Sequence, residues 1–143
     1  MPSKQIVIPS CTTPALWKTC TTADLKKEIK KYYQLHLQGK SVVNQCLGHR
    51  ITLSAQGKNK ITNGGAIYNK KAAVLLILPD LLRYAVYSNF GQRKPTDPTN
   101  LIGYFNFKAK CKIDGKVEYV RIAVLVYKDG KIYFNHEINI IRQ

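Results

Sequence analysis

The chain is 143 residues long, 45% hydrophobic, and carries 23 Lys and Arg against 8 Asp and Glu, a formal net charge of +15. That length suits one domain whose core needs no staples, and the charge favours phosphate backbones, anionic surfaces or an acidic protein as partners. The apolar run at residues 72–78 is far too short to cross a bilayer, the N-terminus lacks the long apolar stretch of a secretory signal, and Cys11, Cys20, Cys46 and Cys111 include no CxxC pair.

The expectations that follow are a cytoplasmic protein with no membrane partner, reduced structural thiols, no metal and no cofactor. Residues 1–20 are rich in Thr, Pro and Lys and read as an N-terminal arm, anchored at its end by Trp17; residues 21–143 form the single domain. Thr21-Thr22-Ala23-Asp24 has the capping-box pattern and opens a helix to about Leu37. Leu25, Ile29, Tyr32 and Tyr33 form its apolar stripe, Lys26, Lys27, Lys30 and Lys31 its solvated face, and Gly39 ends it.

Residues 41–54 give two short extended pieces, in the second of which Ile51 and Leu53 alternate with polar residues. A polar, basic loop follows at residues 56–65, with Lys58 and Lys60 beside glycines; it lacks the GxxxxGK[ST] spacing of a nucleotide-binding loop. Residues 66–78 predict a buried helix, Pro79-Asp80 restarts a short one to about Tyr87, and residues 88–100 read as an exposed loop.

Residues 102–140 predict a three-stranded antiparallel meander. In its first strand Phe105, Phe107, Ala109 and Cys111 alternate with Tyr104, Asn106, Lys108 and Lys110, so one sheet face is dry and the other wet. Asp114-Gly115 suits a type I′ turn, which sets Phe105, Phe107 and Ala109 opposite Val124, Ile122 and Val120. For the second turn, a loop of Lys128, Asp129 and Gly130 keeps the dry faces together and brings Ile122, Val124 and Val126 to His136, Phe134 and Ile132. The fold class is α+β: an N-terminal helix, two short strands and a helical segment packed on a curved antiparallel meander sheet.

The wet face gathers Lys108, Lys110 and Arg121 with Tyr104, Tyr119, Tyr127 and Tyr133. Arg121 and Lys108 stand opposite each other across the first hairpin, where like charges repel unless an anion lies between them or Asn135 or Glu137 relieves them. Tyrosines on such a face can stack bases, and they are also good strand formers. The wet face therefore reads either as a nucleic-acid surface that includes Lys60 or as a solvated side.

Seven short segments resemble, in order and spacing over about residues 25–140, domains found in large polyvalent proteins of phages and conjugative elements. They are Leu37-Gln38-Gly39-Lys40-Ser41-Val42, Leu47-Gly48-His49-Arg50-Ile51, Ser54-Ala55-Gln56-Gly57-Lys58, Leu78-Pro79-Asp80-Leu81-Leu82, Ile113-Asp114-Gly115-Lys116, Val120-Arg121-Ile122-Ala123-Val124 and Tyr133-Phe134-Asn135-His136-Glu137. The resemblance implies kinship with the barnase, colicin D and RelE group of ribonuclease toxins. It further implies metal-independent RNA cleavage on the open sheet face, with Lys58, Arg121 and His136 as the catalytic residues. Asn135 stands where such domains tend to carry an acidic residue before the histidine.

Cleavage without metal needs a proton carrier and a cation to hold the phosphorane charge, chemistry that His136 with Arg121 or Lys58 can supply. The register nevertheless puts His136 on the dry face, where a histidine is more often a hydrogen-bonded core residue. Three functions stay open: a ribonuclease acting on RNA, a non-catalytic RNA- or DNA-binding module using the same face, and a protein-interaction domain docking an acidic inhibitor.

Overall fold

The computed structural model describes residues 8–55 and 69–141. In chain order these form β1 (Ser10–Cys11), α1 (Ala15–Thr19), α2 (Thr22–Tyr32), β2 (Ser41–Val43), β3 (Arg50–Leu53), α3 (Asn69–Val74), α4 (Leu78–Tyr84), β4 (Val86–Gln92), β5 (Leu101–Ile113), β6 (Lys116–Tyr127) and β7 (Ile132–Ile141). The fold is α+β, with the helices on the dry side of one curled sheet.

The Thr21 hydroxyl accepts the Asp24 N–H at 3.1 Å, the capping bond that the sequence predicts at the start of α2. Leu25, Ile29, Tyr33 and Leu37 then recur every four residues and are all buried. The last turn, Tyr33–Leu37, widens to π-helical spacing, and the Tyr33 hydroxyl donates to the Ser54 carbonyl at 2.6 Å. Burial raises the pKa of that hydroxyl. Ala72, Ala73 and Val74 at the end of α3, and Leu75 in the 3-10 turn Leu75–Ile77 that follows, are fully buried, so the expected buried helix of residues 66–78 is helical from Asn69 to Val74 and tightens after it.

Among the described residues the sheet has seven strands in the order β1-β5-β6-β7-β3-β2, and β4 also pairs with β5. β4 and β1 share the outer edge of β5: β4 lies along Gly103 to Lys108, and β1 takes over at Lys112 and Ile113. β3 joins β7 in parallel, with Thr52 beside Tyr133.

The first hairpin has the register that alternation predicts, with Phe105, Phe107 and Ala109 opposite Val124, Ile122 and Val120. Its turn residues Asp114 and Gly115 have φ of 52° and 81°, the positive values a type I′ turn requires. The dry face is closed: Phe107, Cys111, Val120, Ile122, Val124 and Phe134 are all buried, the Phe, Val and Ile side chains each contributing about 1.5–3 kcal/mol by leaving water. Burial, then nearby Cys11 and Glu118, push the Cys111 thiol up to about 11, so it stays protonated and unreactive at neutral pH.

Three expectations from the sequence need correction. Residues 88–100 are not wholly a loop, nor does the preceding helix reach Tyr87: α4 ends at Tyr84, Ala85 is extended, and Val86–Gln92 is a strand on β5. A bulge between Tyr87 and Asn89 lets Tyr87 face Phe107 and Phe90 face Phe105, three positions apart on one side, which hides the strand's period of two. The second hairpin begins as expected, with Val126 opposite Ile132 around the loop whose Gly130 has φ of 88°. Beyond Leu125 and Tyr133 the register slips, and Ile122 meets Ile138 rather than His136. Between Leu125 and Ala123 of β6, β7 runs from Tyr133 to Glu137, so His136 lies where β7 carries two residues more than its partner.

The segment before α2 is tied to the sheet through Asp114. The carboxylate accepts the Thr13 N–H at 2.7 Å and the Thr13 hydroxyl at 2.8 Å, with the Lys18 ammonium at 3.6 Å. These bonds, Thr13 first and Lys18 after, lower the Asp114 pKa below the ordinary carboxylate value of 3.8. A carboxyl whose folded pKa is depressed contributes stability that is fully present above the unfolded value and lost as pH falls through the folded one. Docking of residues 8–20 is therefore expected to weaken only on acidification below that ordinary value. Asp114→Asn should loosen it at neutral pH, seen as faster amide exchange at Thr13 and Lys112 without faster exchange in β6.

Candidate nucleic-acid interface

β5 and β6 place the basic residues, because strand residues two apart share a face and the tight Asp114-Gly115 turn fixes which pairs oppose. Lys108 stands directly opposite Arg121, and Lys110 opposite Tyr119. Lys108, Lys110 and Arg121 are exposed, while Tyr119 is half-buried with its ring centroid 5.8 Å from the Lys110 ammonium, close enough for a cation–π contact. On the far side of β6, Arg121 faces Asn139 of β7. The ion pairs of Lys18 with Asp114 and of Arg83 with Asp80 lie away from this cluster.

The other half of the same face is covered. Tyr104 is only 6% exposed, and its hydroxyl donates to the Asp97 carboxylate. Asp97 also accepts the Lys94 N–H at 2.7 Å, while its carbonyl accepts from Arg93 at 2.7 Å, so residues 93–97 are folded over the tyrosine. Burial, followed by the hydrogen bond and charge of Asp97, pushes the Tyr104 hydroxyl up to about 12. Tyr127 and Tyr133 pack edge to face at 5.6 Å, both half-buried. Of the tyrosines expected to stack bases, Tyr119 lies beside the lysines, Tyr133 lies one step into the covered half, and Tyr104 is closed off beneath the loop.

Lys58 and Lys60 lie outside the described residues. The backbone of His136 belongs to β7, three residues along from the Asn139 that faces Arg121, and its side chain lies outside the described residues. The structure thus brings together Lys108, Lys110, Arg121 and Tyr119. Sequence reasoning missed the Asp97 clamp over Tyr104, for which the only local signal is the Asp-Pro pair in an apparent loop. It also missed a cavity of about 430 Å³ beside Lys108 and Lys110, whose other walls include Leu81, Tyr84 and Val86.

These features define an α+β domain with an open basic patch at one end of a long hairpin. A family model for large polyvalent protein-associated domain 3 matches residues 21–134, and the chain belongs to that family. No curated protein and no solved structure matches the chain. Among the described residues no helix is long and apolar enough to cross a membrane.

Proposed function

We propose that the domain acts on RNA and seats the phosphate backbone on Lys108, Arg121 and Lys110. The observation that carries this reading is the facing of Lys108 and Arg121 across β5 and β6. Two cations at that spacing repel, and a phosphate oxygen between them turns the repulsion into two attractions. The net charge of +15 adds a long-range pull on any polyanion.

The signature of such a site is a pair of opposite effects. Lys108→Glu converts the facing pair to an attraction and is expected to stabilise the fold by about 0.5 kcal/mol, while weakening RNA binding. The double variant Lys108→Glu/Arg121→Glu should lose about ten-fold in affinity near physiological salt and lower the slope of log affinity against log salt by about 1.4, the value for two phosphate contacts on a single strand. Fluorescence anisotropy over a salt series measures both. An unchanged slope in the double variant would leave the patch a solvated surface.

A second reading, cleavage of the bound RNA without metal, is supported by the kinship with ribonuclease toxins that the resemblance to polyvalent-protein domains implies, and by one structural fact. Strand irregularities recur beside active sites, where they re-aim side chains, and the extra residues of β7 fall at His136. Incubation of the protein with total and transfer RNA in EDTA is expected to give discrete products that His136→Gln abolishes while leaving RNA binding intact. RNA that shifts on a gel but stays whole in the parent protein would leave a binding module. An acidic protein that co-purifies, with no effect on RNA, would instead favour the docking of an inhibitor.

A further inference from the structure

Among the described residues, the strand pairing along the outer edge of β5 has a gap. β4 pairs with β5 as far as Lys108 and β1 begins at Lys112, so residues 109–111 face no strand among the described residues. Backbone groups of alternate residues point to alternate edges of a strand. The Lys112 N–H points outward, donating to the Pro9 carbonyl at 2.9 Å, and the N–H and C=O of Lys110, two residues away, therefore point outward as well, into the gap. The cavity of about 430 Å³ lies at this place, its lining including Leu81, Tyr84, Val86 and Tyr119 together with Lys108 and Lys110.

We propose that this cavity receives one base of the RNA strand whose phosphates sit on Lys108 and Arg121, an inference that rests on the RNA reading above. The volume falls in the range of roughly 300–1,000 Å³ that small-molecule sites occupy. Tyr84 and Tyr119 offer rings to a base, and stacking tolerates any base because each has a π-face. Every RNA base also presents a donor and an acceptor side by side on its pairing edge, which the outward N–H and C=O of Lys110 complement. The two lysines place positive charge where the phosphates flanking an inserted base must pass.

Other occupants fit less well. A hydrocarbon chain would match the apolar walls but leave the Lys110 backbone groups unpaired against it, which is costly. A protein strand would find only residues 109–111 to pair with, short of the about five or six residues that strands usually reach.

The test compares a single-stranded RNA oligomer with an abasic ribose-phosphate oligomer of the same length and charge. The parent protein is expected to bind the base-bearing oligomer about ten-fold more tightly, the difference one stacked base makes. Val86→Trp, which fills the cavity from an exposed strand position, and Tyr119→Leu, which removes a ring but keeps an apolar wall, should each reduce that preference. A 2-aminopurine placed at successive positions of the oligomer should change its emission on binding at one position, and lose that change with Val86→Trp. Equal affinity of the parent for the two oligomers would overturn the base site while leaving phosphate binding in place. Failure of the parent to bind either oligomer would overturn both readings.

Discussion

Gly103→Val is expected to destabilise the protein by about 3 kcal/mol, at the upper end for overpacking a filled site. A Cβ at Gly103 would sit 2.4 Å from the Gly91 carbonyl oxygen and 2.4 Å from Cζ of Phe90. The ring can rotate, but the carbonyl belongs to the strand paired with β5 and can only move if β4 moves with it. Relief therefore means separating β4 from β5 near Gly103. Urea denaturation should show a lower midpoint with a nearly unchanged slope, and amide exchange should quicken along β4 before β6. Gly103→Ala should show the same pattern with a smaller loss. A variant as stable as the parent would contradict the close approach of these two strands.

Asn44→Leu is expected to cost a similar amount, about 3 kcal/mol, because it strands several buried polar groups that each carry a penalty of about 1–3 kcal/mol. Asn44 is only 1% exposed. Its amide nitrogen donates to the carbonyls of Leu82 at 2.7 Å and Ala85 at 2.9 Å, and its amide oxygen accepts the Leu47 N–H at 2.9 Å. The side chain thus closes the C-terminal end of α4 and holds the turn after β2 at once. Asn44→Asp separates these roles, since a carboxylate can still accept from Leu47 but meets two carbonyl oxygens where the amide donated. That environment raises the folded-state pKa of the aspartate. Its penalty therefore grows as pH rises above about 4, and the variant should recover stability relative to the parent on acidification, when a protonated carboxyl can donate again. A pH-independent deficit would show that the donor bonds to α4 carry little of the effect.

The two sites share a feature that bears on function. Gly103 holds β4 against β5, Asn44 holds the end of α4 that precedes β4, and β4 ends its pairing at Lys108. One border of the gap on β5, and with it the placing of Lys108, depends on both. A variant that detaches β4 is expected to lose RNA affinity along with stability, whereas Lys108→Glu should lose affinity while gaining stability.

The sequence by itself determined the features governed by near neighbours. The capped helix after Thr21, the Asp114-Gly115 turn, the first hairpin's register and the facing of Lys108 with Arg121 all follow from side-chain period and turn chemistry, which act over a few residues. The class of the fold and its relation to the polyvalent-protein domains were legible for the same reason: each rests on segments read in order along the chain. What only the tertiary structure decided are the places where one segment departs from its own period or borrows a partner from far away. The bulge in β4 broke the alternation that marks a strand, so Val86–Gln92 read as helix end and loop until β5 supplied its hydrogen-bonding edge. The two extra residues in β7 moved His136 out of register with Ile122, because a slip of two keeps every side chain on its face and leaves no trace in the hydrophobic pattern. Tyr104 occupies the wet face by alternation yet is buried, since the covering loop is held by Asp97, whose hydrogen bond to it no period of two or 3.6 can encode. The cavity on β5 has the same origin: its walls come from the chain's start, from α4, from β4 and from the hairpin, segments that only folding brings to one edge.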